Sequence, residues 1–281
     1  MSLFLAEKTW QELKEAVEKK TIILVPVGQV EGHGWHLPVD TDAFLAEAIT
    51  RRVAELVSAE MPVLVTPTVW SGYSTREVTR WPGCLNLRME TFLALMEDLC
   101  ASLIEMGFRR IAVVSTHGNH TGALEVVARK IADRYGVYLA ITVPTIIARK
   151  EIESFLEKGR KGSCHAGEYE TSLMLYLSGE SVRQDKLTDV DTLRIADWRF
   201  YGKVFISTWG LQKSITGAYG APTAATAEKG RRIFEAIVSV YAEFLKDWGK
   251  NEGHPGGKKL PEGTGQKGSG SSLSTPAEET G

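Results

Sequence analysis

At 281 residues, 43% hydrophobic and 24% charged, the chain can bury an ordinary apolar core, which excludes both a stapled miniprotein and a disordered chain. Lys and Arg number 33 against 35 Asp and Glu, a formal net charge of -2. With no basic stripe of the kind that follows a phosphate backbone, this balance argues against a nucleic-acid partner.

The opening residues, MSLFLAEKTW, turn charged within seven positions, too soon for a signal peptide, and no stretch approaches the roughly 18 apolar residues of a membrane span. An amphipathic helix is expected over residues 7–19. Residues 21–27 (TIILVPV) are short, β-branched and almost wholly apolar, as a strand covered on both faces must be. Similar runs recur at 62–69, 110–115 and 137–143, separated by amphipathic stretches at 42–58, 90–106 and 121–134. Such alternation predicts right-handed βαβ crossovers and an α/β fold, a three-layer αβα sandwich around a mostly parallel central sheet. Residues 70–89 have no period but hold Trp70, Tyr73, Trp81 and Gly83, which suits a long loop beside a site as well as an ordinary surface connection. Residues 180–216 are too mixed to assign, although Trp198 and Trp209 hint at a second aromatic wall. A last helix is expected over 225–248. Beyond residue 250 Gly, Pro, Ser, Thr and charge dominate, with Leu260 and Leu273 as the only large apolar residues. Such a stretch cannot offset its ordering entropy by burial. Residues 1–250 are therefore expected to form one domain and 251–281 a disordered tail.

In open α/β sheets the ligand crevice lies beyond the carboxyl ends of the strands, and there the histidines gather. Five of the six (His33, His36, His117, His120 and His165) fall in segments 31–42, 115–120 and 165–170, only 24 residues in all. A shared site explains the clustering. Glu31 and His33 lie two apart just after a strand, so extended backbone projects both the same way, and Gly28, Gly32 and Gly34 permit close turns. Asp42 stands where the next helix begins, as an N-cap or as a carboxylate bridging two divalent metals. His36 suits ligation, orientation of a neighbour, or simple packing. His117 follows the strand at 110–115 and reads as a ligand. Asn119 and His120 are candidates for orienting imidazoles or carboxylates, with capping or packing as the alternative for His120. If a helix begins near Gly167, Glu168 and Glu170 stand about 200° apart around its axis, so only one faces the site and the other is expected to be solvated. His165, at the mouth of that helix, suits a proton shuttle because its ordinary pKa is about 6.5.

These residues resemble the creatininase family of metal-dependent amidohydrolases. The family motif PVG-x-x-E-x-H-G-x-H-L-P, with an Asp eleven residues after the Glu, is met by Pro26, Val27, Gly28, Glu31, His33, Gly34, His36, Leu37, Pro38 and Asp42. His117-Gly118, HAG-x-x-ETS at 165–172 and AT-x-EKG at 225–230 follow in order, over roughly residues 8–245. The resemblance implies an αβα sandwich assembled as a homohexamer, with two divalent metal ions (Zn, Mn or Fe). By position Glu31, His33, Asp42, His117 and Glu170 become the ligands, Asp42 bridging, and His165 the general acid/base. Glu170 matches the ETS motif, whereas Glu168 falls on a variable position. With His36, Asn119 and His120, Glu168 remains a candidate for the surrounding layer or for substrate contact. The mixed nitrogen and oxygen donors suit borderline divalent ions without choosing among them.

Departures bear on substrate. Creatininases proper carry Tyr and then Glu after the second-motif histidine, where this chain has Gly118 and Asn119. They also carry Trp-Asp-x-Glu before the third motif, where Lys161, Gly162, Ser163 and Cys164 stand here. Creatinine is thus a poor substrate choice, and the second metal is expected to bind more weakly or through water. The expected reaction is hydrolysis of a C–N amide bond, in a cyclic amide or formamide, on a small polar substrate. Metals acidify a water and polarise the carbonyl, and His165 protonates the leaving nitrogen. Two alternatives stand beside it: C–C cleavage of a keto-inositol ring, also found in the family, and non-catalytic metal or small-molecule binding. A cysteine hydrolase built on Cys164 and His165 is disfavoured because adjacent side chains project apart. Neither GxGxxG nor a GK[ST] phosphate loop occurs. Cys84, Cys100 and Cys164, odd in number and without a CxxC pair, suit a reducing cytoplasm.

Overall fold

A computed structural model of the chain describes residues 2–190, 204 and 214–250. Trp198, Trp209 and the expected tail at 251–281 lie outside the described residues. The first helix, α1 (Trp10–Glu18), starts three residues later than expected, because Leu5–Glu7 forms a separate 3-10 turn. Thr9 then caps it: the Thr9 hydroxyl accepts from the Glu12 N–H, and the Glu12 carboxylate accepts from the Thr9 N–H, a reciprocal capping box. There follow β1 (Ile22–Val27), α2 (Thr41–Val57), β2 (Val63–Val65), the short α3 (Arg76–Thr79), α4 (Met89–Glu105), β3 (Arg110–Ser115), α5 (Thr121–Tyr135) and β4 (Leu139–Thr142). Next come α6 (Pro144–Ile147), α7 (Arg149–Phe155), β5 (Ser163–His165), α8 (Glu168–Leu177), β6 (Tyr219–Gly220) and α9 (Ala227–Lys250). Among the described residues no helix is long and apolar enough to cross a membrane.

The central sheet runs β2-β1-β3-β4 with every pairing parallel. Its residues alternate between two apolar layers. Ile22, Leu24, Ala112 and Val114 pack with Ile49 of α2, Leu173 of α8 and Ile237 of α9. Ile23, Val25, Ile111 and Val113 pack with Phe92 and Met96 of α4 and with Leu124 and Val127 of α5. Both strand faces are covered, which is why the runs are unbroken in apolarity, and the expected three-layer α/β sandwich is what forms. β5 and β6 make a separate antiparallel pair. The apolar run at 62–69 is a strand only over Val63–Val65; Pro67, with no N–H to give a ladder, interrupts it, and Val69 rejoins as an isolated bridge to Val27.

One close approach places the start of α2 against the exit of β1. A Cβ at Gly28 would lie 2.3 Å from the Ala43 Cα and 2.4 Å from its nitrogen, so only glycine lets the two backbones touch. Gly28→Ala is expected to cost about 1–3 kcal/mol through overpacking. It should also displace Asp42, one residue from the contact. Chemical denaturation with and without Zn²⁺ checks this: the variant should lose stability and most of the stabilisation that the ion confers.

Candidate metal centre

Parallel pairing of β1 with β3 sets Val27 opposite Ser115, so the segments leaving both strands run side by side at one sheet edge. The first delivers Glu31 and His33, the second His117. Asp42 enters from the first turn of α2, where free backbone N–H groups favour a carboxylate. It does not cap the helix: the N-cap is Asp40, which makes no side-chain capping bond. β5 brings His165 and the first turn of α8 brings Glu170. Ala166, between them, sits at φ 48, a left-handed conformation costly for a non-glycine. That turn aims its N–H at Glu170 Oε2, 2.5 Å away. Glu31, His33, Asp42, His117 and His165 are buried, and only Glu170 keeps a solvent-facing edge.

Each imidazole is anchored on its outer side. His33 Nδ1 donates to the Glu31 carbonyl at 3.1 Å, which leaves the Nε2 lone pair facing Asp42 Oδ1 at 3.3 Å and Glu170 Oε2 at 3.9 Å. His165 Nε2 donates to the Gly32 carbonyl at 2.8 Å, which leaves Nδ1 3.7 Å from Glu31 Oε1. His117 Nδ1 stands 3.0 Å from Asp42 Oδ2 and 3.3 Å from Glu31 Oε1. Lone pairs thus point at carboxylate oxygens, an arrangement that only a proton or a cation between them can satisfy. Glu31 Oε1, His33 Nε2 and Asp42 Oδ2 are buried atoms with no hydrogen-bond partner among the described residues.

The donors sort into Glu31, Asp42 and His117, and into His33, Asp42 and Glu170, with ligand atoms in each set within 4.8 Å of one another. Bonds of about 2.1 Å place tetrahedral or octahedral ligand atoms about 3.0–3.4 Å apart, so the 3.0–3.3 Å separations fit a divalent ion and the 3.9 Å one needs slight closure. Asp42 offers one oxygen to each set. A third grouping, Glu31, His33 and His165, meets the same criterion.

The titratable groups of the cluster shift one another. Burial alone would lower the His33 pKa, but Asp42, Glu170 and Glu31 outweigh it and raise the pKa to about 10. His117 is likewise raised, by Glu31 and Asp42 against burial. Burial lifts Glu170 to about 7. Burial and then the neighbouring His33 lower His165 to about 3, so it is neutral. An ion can use His33 Nε2 only after its proton leaves, so affinity should rise by about tenfold per pH unit per displaced proton up to pH ~10. Below pH ~7 the slope should steepen as Glu170 also protonates. Calorimetric Zn²⁺ titration at pH 8 in buffers of different ionisation heat should show release of at least one proton; binding without release would mean that His33 is already neutral.

The remaining candidates separate. His36 Nε2 bonds Thr171 Oγ1 at 2.9 Å and belongs to none of the ligand sets; it ties the first segment to α8. His120 stacks on Phe92 at 4.3 Å between ring centroids and meets His117 edge-on at 4.7 Å, a packed wall behind that ligand. Asn119 is half-buried and makes no side-chain hydrogen bond with the described residues. Glu168, of which solvation was one expectation, is fully buried: it accepts from the N–H groups of Glu157 and Lys158 at 2.8 and 3.0 Å and from Lys229 Nζ at 2.7 Å. It is a clamp facing away from the cluster, and Lys229 of the EKG motif is its counter-charge. Sequence reasoning missed Ser74, whose hydroxyl reaches both Glu31 and His117. It also missed Gln29, which accepts from the Gly72 N–H at 2.6 Å and donates to the Leu85 carbonyl at 3.2 Å. The loop that carries Ser74 also sets Trp81 edge-on to Tyr219, whose ring centroid is 6.1 Å from that of His165.

The chain matches a family model named Creatininase and described as creatinine amidohydrolase over residues 6–245. A mycofactocin precursor peptide peptidase of Mycolicibacterium smegmatis is 31% identical over 235 residues, covering 81% of this chain and 85% of the relative. Creatinine amidohydrolase of Pseudomonas putida is 26% identical over 264 residues, covering 88% and 97%. A solved structure described as Creatininase Mn superposes with a TM-score of 0.75 at 25% identity, over 89% of this chain and 100% of that one.

Proposed function

The chain belongs to the creatininase family and is a metal-dependent hydrolase, and from that premise we propose that it cleaves a C–N amide bond, in a cyclic amide or a formamide, on a small polar substrate. The observation that carries this is the set of outward-anchored imidazoles whose lone pairs face the carboxylates of buried Glu31 and Asp42 and of half-buried Glu170. Glu31, Asp42 and His117 would hold one divalent ion and His33, Asp42 and Glu170 the other, with Asp42 between them; Zn, Mn and Fe all suit the donors. When bound, such a pair lowers the pKa of a coordinated water towards about 7 and polarises the substrate carbonyl. His165 receives the water proton at Nδ1, the only ring nitrogen not engaged with Gly32, and returns it to the leaving nitrogen. The Gly32 carbonyl keeps the ring in that tautomer. Burial keeps His165 from holding a proton in the resting state.

C–C cleavage and non-catalytic binding are less well supported: the ligand set and the proton acceptor together are what amide hydrolysis requires. We extend the proposal to one domain through residue 250, supported by the match over residues 6–245, and, on the resemblance, to a cytoplasmic homohexamer. Elemental analysis of anaerobically purified protein, with mass-spectrometric screening of cyclic amides, formamides, short peptides and keto-inositol rings, tests the reaction. Bound metal without turnover would favour the binding protein, and turnover of the keto ring alone would refute C–N hydrolysis.

A further inference from the structure

We propose that Ser74 is a positioning residue for one half of the metal centre, fixing at once the orientation of the Glu31 carboxylate and the tautomer of His117. The inference rests on the metal-binding reading above. Ser74 is 2% exposed; its hydroxyl contacts Glu31 Oε2 and lies 2.9 Å from His117 Nε2. A serine hydroxyl has one proton to give, and an ionised carboxylate can only accept. The proton therefore goes to Glu31, and the hydroxyl oxygen accepts from His117 Nε2–H. That leaves the His117 lone pair on Nδ1, the atom facing Asp42 and Glu31 Oε1. One oxygen thus orients two of the three donors of a single ion and none of the donors unique to the other.

The hydroxyl is itself held in place. The Ser74 N–H donates to Asn86 Oδ1 at 2.5 Å. On either side of it, Leu87 N–H bonds the Gly72 carbonyl at 2.8 Å and Leu85 N–H bonds the Val30 carbonyl at 3.0 Å. Gln29, at the exit of β1, grips Gly72 and Leu85 from the other side. The loop at 70–88 is therefore fastened to the segment bearing Glu31 and His33, and its serine arrives at a set height above the ligands.

The test is competitive Zn²⁺ titration against a chromophoric chelator in two backgrounds that each keep one ion. In Glu170→Ala, whose remaining ion is held by Glu31, Asp42 and His117, adding Ser74→Ala should weaken binding by about 10- to 100-fold, the usual cost of losing an outer partner of a ligand. In His117→Ala, whose remaining ion is held by His33, Asp42 and Glu170, the same addition should change affinity by less than about threefold. Equal losses in both backgrounds would reveal a general structural role and overturn the proposal, as would no loss in either. In zinc-loaded wild type, the His117 Nε2 proton should give a slowly exchanging NMR signal; rapid exchange with solvent overturns the proposal without any variant. Wild type that takes up no Zn²⁺ brings down the metal centre itself, whereas normal uptake with indifferent Ser74 variants brings down Ser74 alone.

Discussion

In a His33→Ala variant, metal-dependent turnover should fall to background while the fold stays largely intact. His33 Nε2 is the nitrogen donor of the set it forms with Asp42 and Glu170, whose other donors are carboxylate oxygens. Removing it leaves two acidic groups to hold an ion with too few donors. The ring lies beyond the end of β1, where it packs on His165 rather than between strand and helix. Elemental analysis should find about half the wild-type metal, circular dichroism should be near wild type, and kcat/KM should be lost. Wild-type rates in a metal-stripped His33→Ala sample would refute the assignment.

His165→Ala should instead keep its metal and lose about 10²- to 10⁴-fold in kcat, the usual contribution of a positioned proton carrier. Among the described residues Glu31 is the one carboxylate within 4 Å of the His165 Nδ1, at 3.7 Å, and the ring's other nitrogen is engaged by Gly32. Because His165 also falls in the third grouping of ligand atoms, metal content decides between the two roles. Loss of an ion would make it a ligand, and unchanged kinetics with full metal would remove it from the mechanism.

Much of the architecture was legible because a strand buried on both faces has no freedom to be polar: β1 and β3 stand out as TIILVPV and RIAVVS. The helices α2, α4 and α5 fall within a residue of the expected boundaries, since each must keep an apolar stripe against the sheet. β5 and β6 were illegible, being three and two residues long and held by contacts far along the chain. In the site, Glu31, His33, Asp42, His117 and His165 stand out by chemistry concentrated at strand ends, whereas Glu170 is told from Glu168 only by the ETS motif of the resemblance. Ser74 did not, because a serine in an aperiodic loop has no spacing to mark it; only the fastening of that loop by Gln29 and Asn86 gives it meaning. Glu168 could not be separated from a solvated residue until its partner Lys229, 61 positions away, was in view.

Asp42 gives one oxygen to each ligand set, and this ties the two halves together genetically as well as chemically. A lesion at that codon would disturb both sets, whereas lesions at Glu170 or His117 would each leave the other set whole. A descendant that keeps a single one of these two sets would therefore retain this aspartate and surrender a residue on one flank.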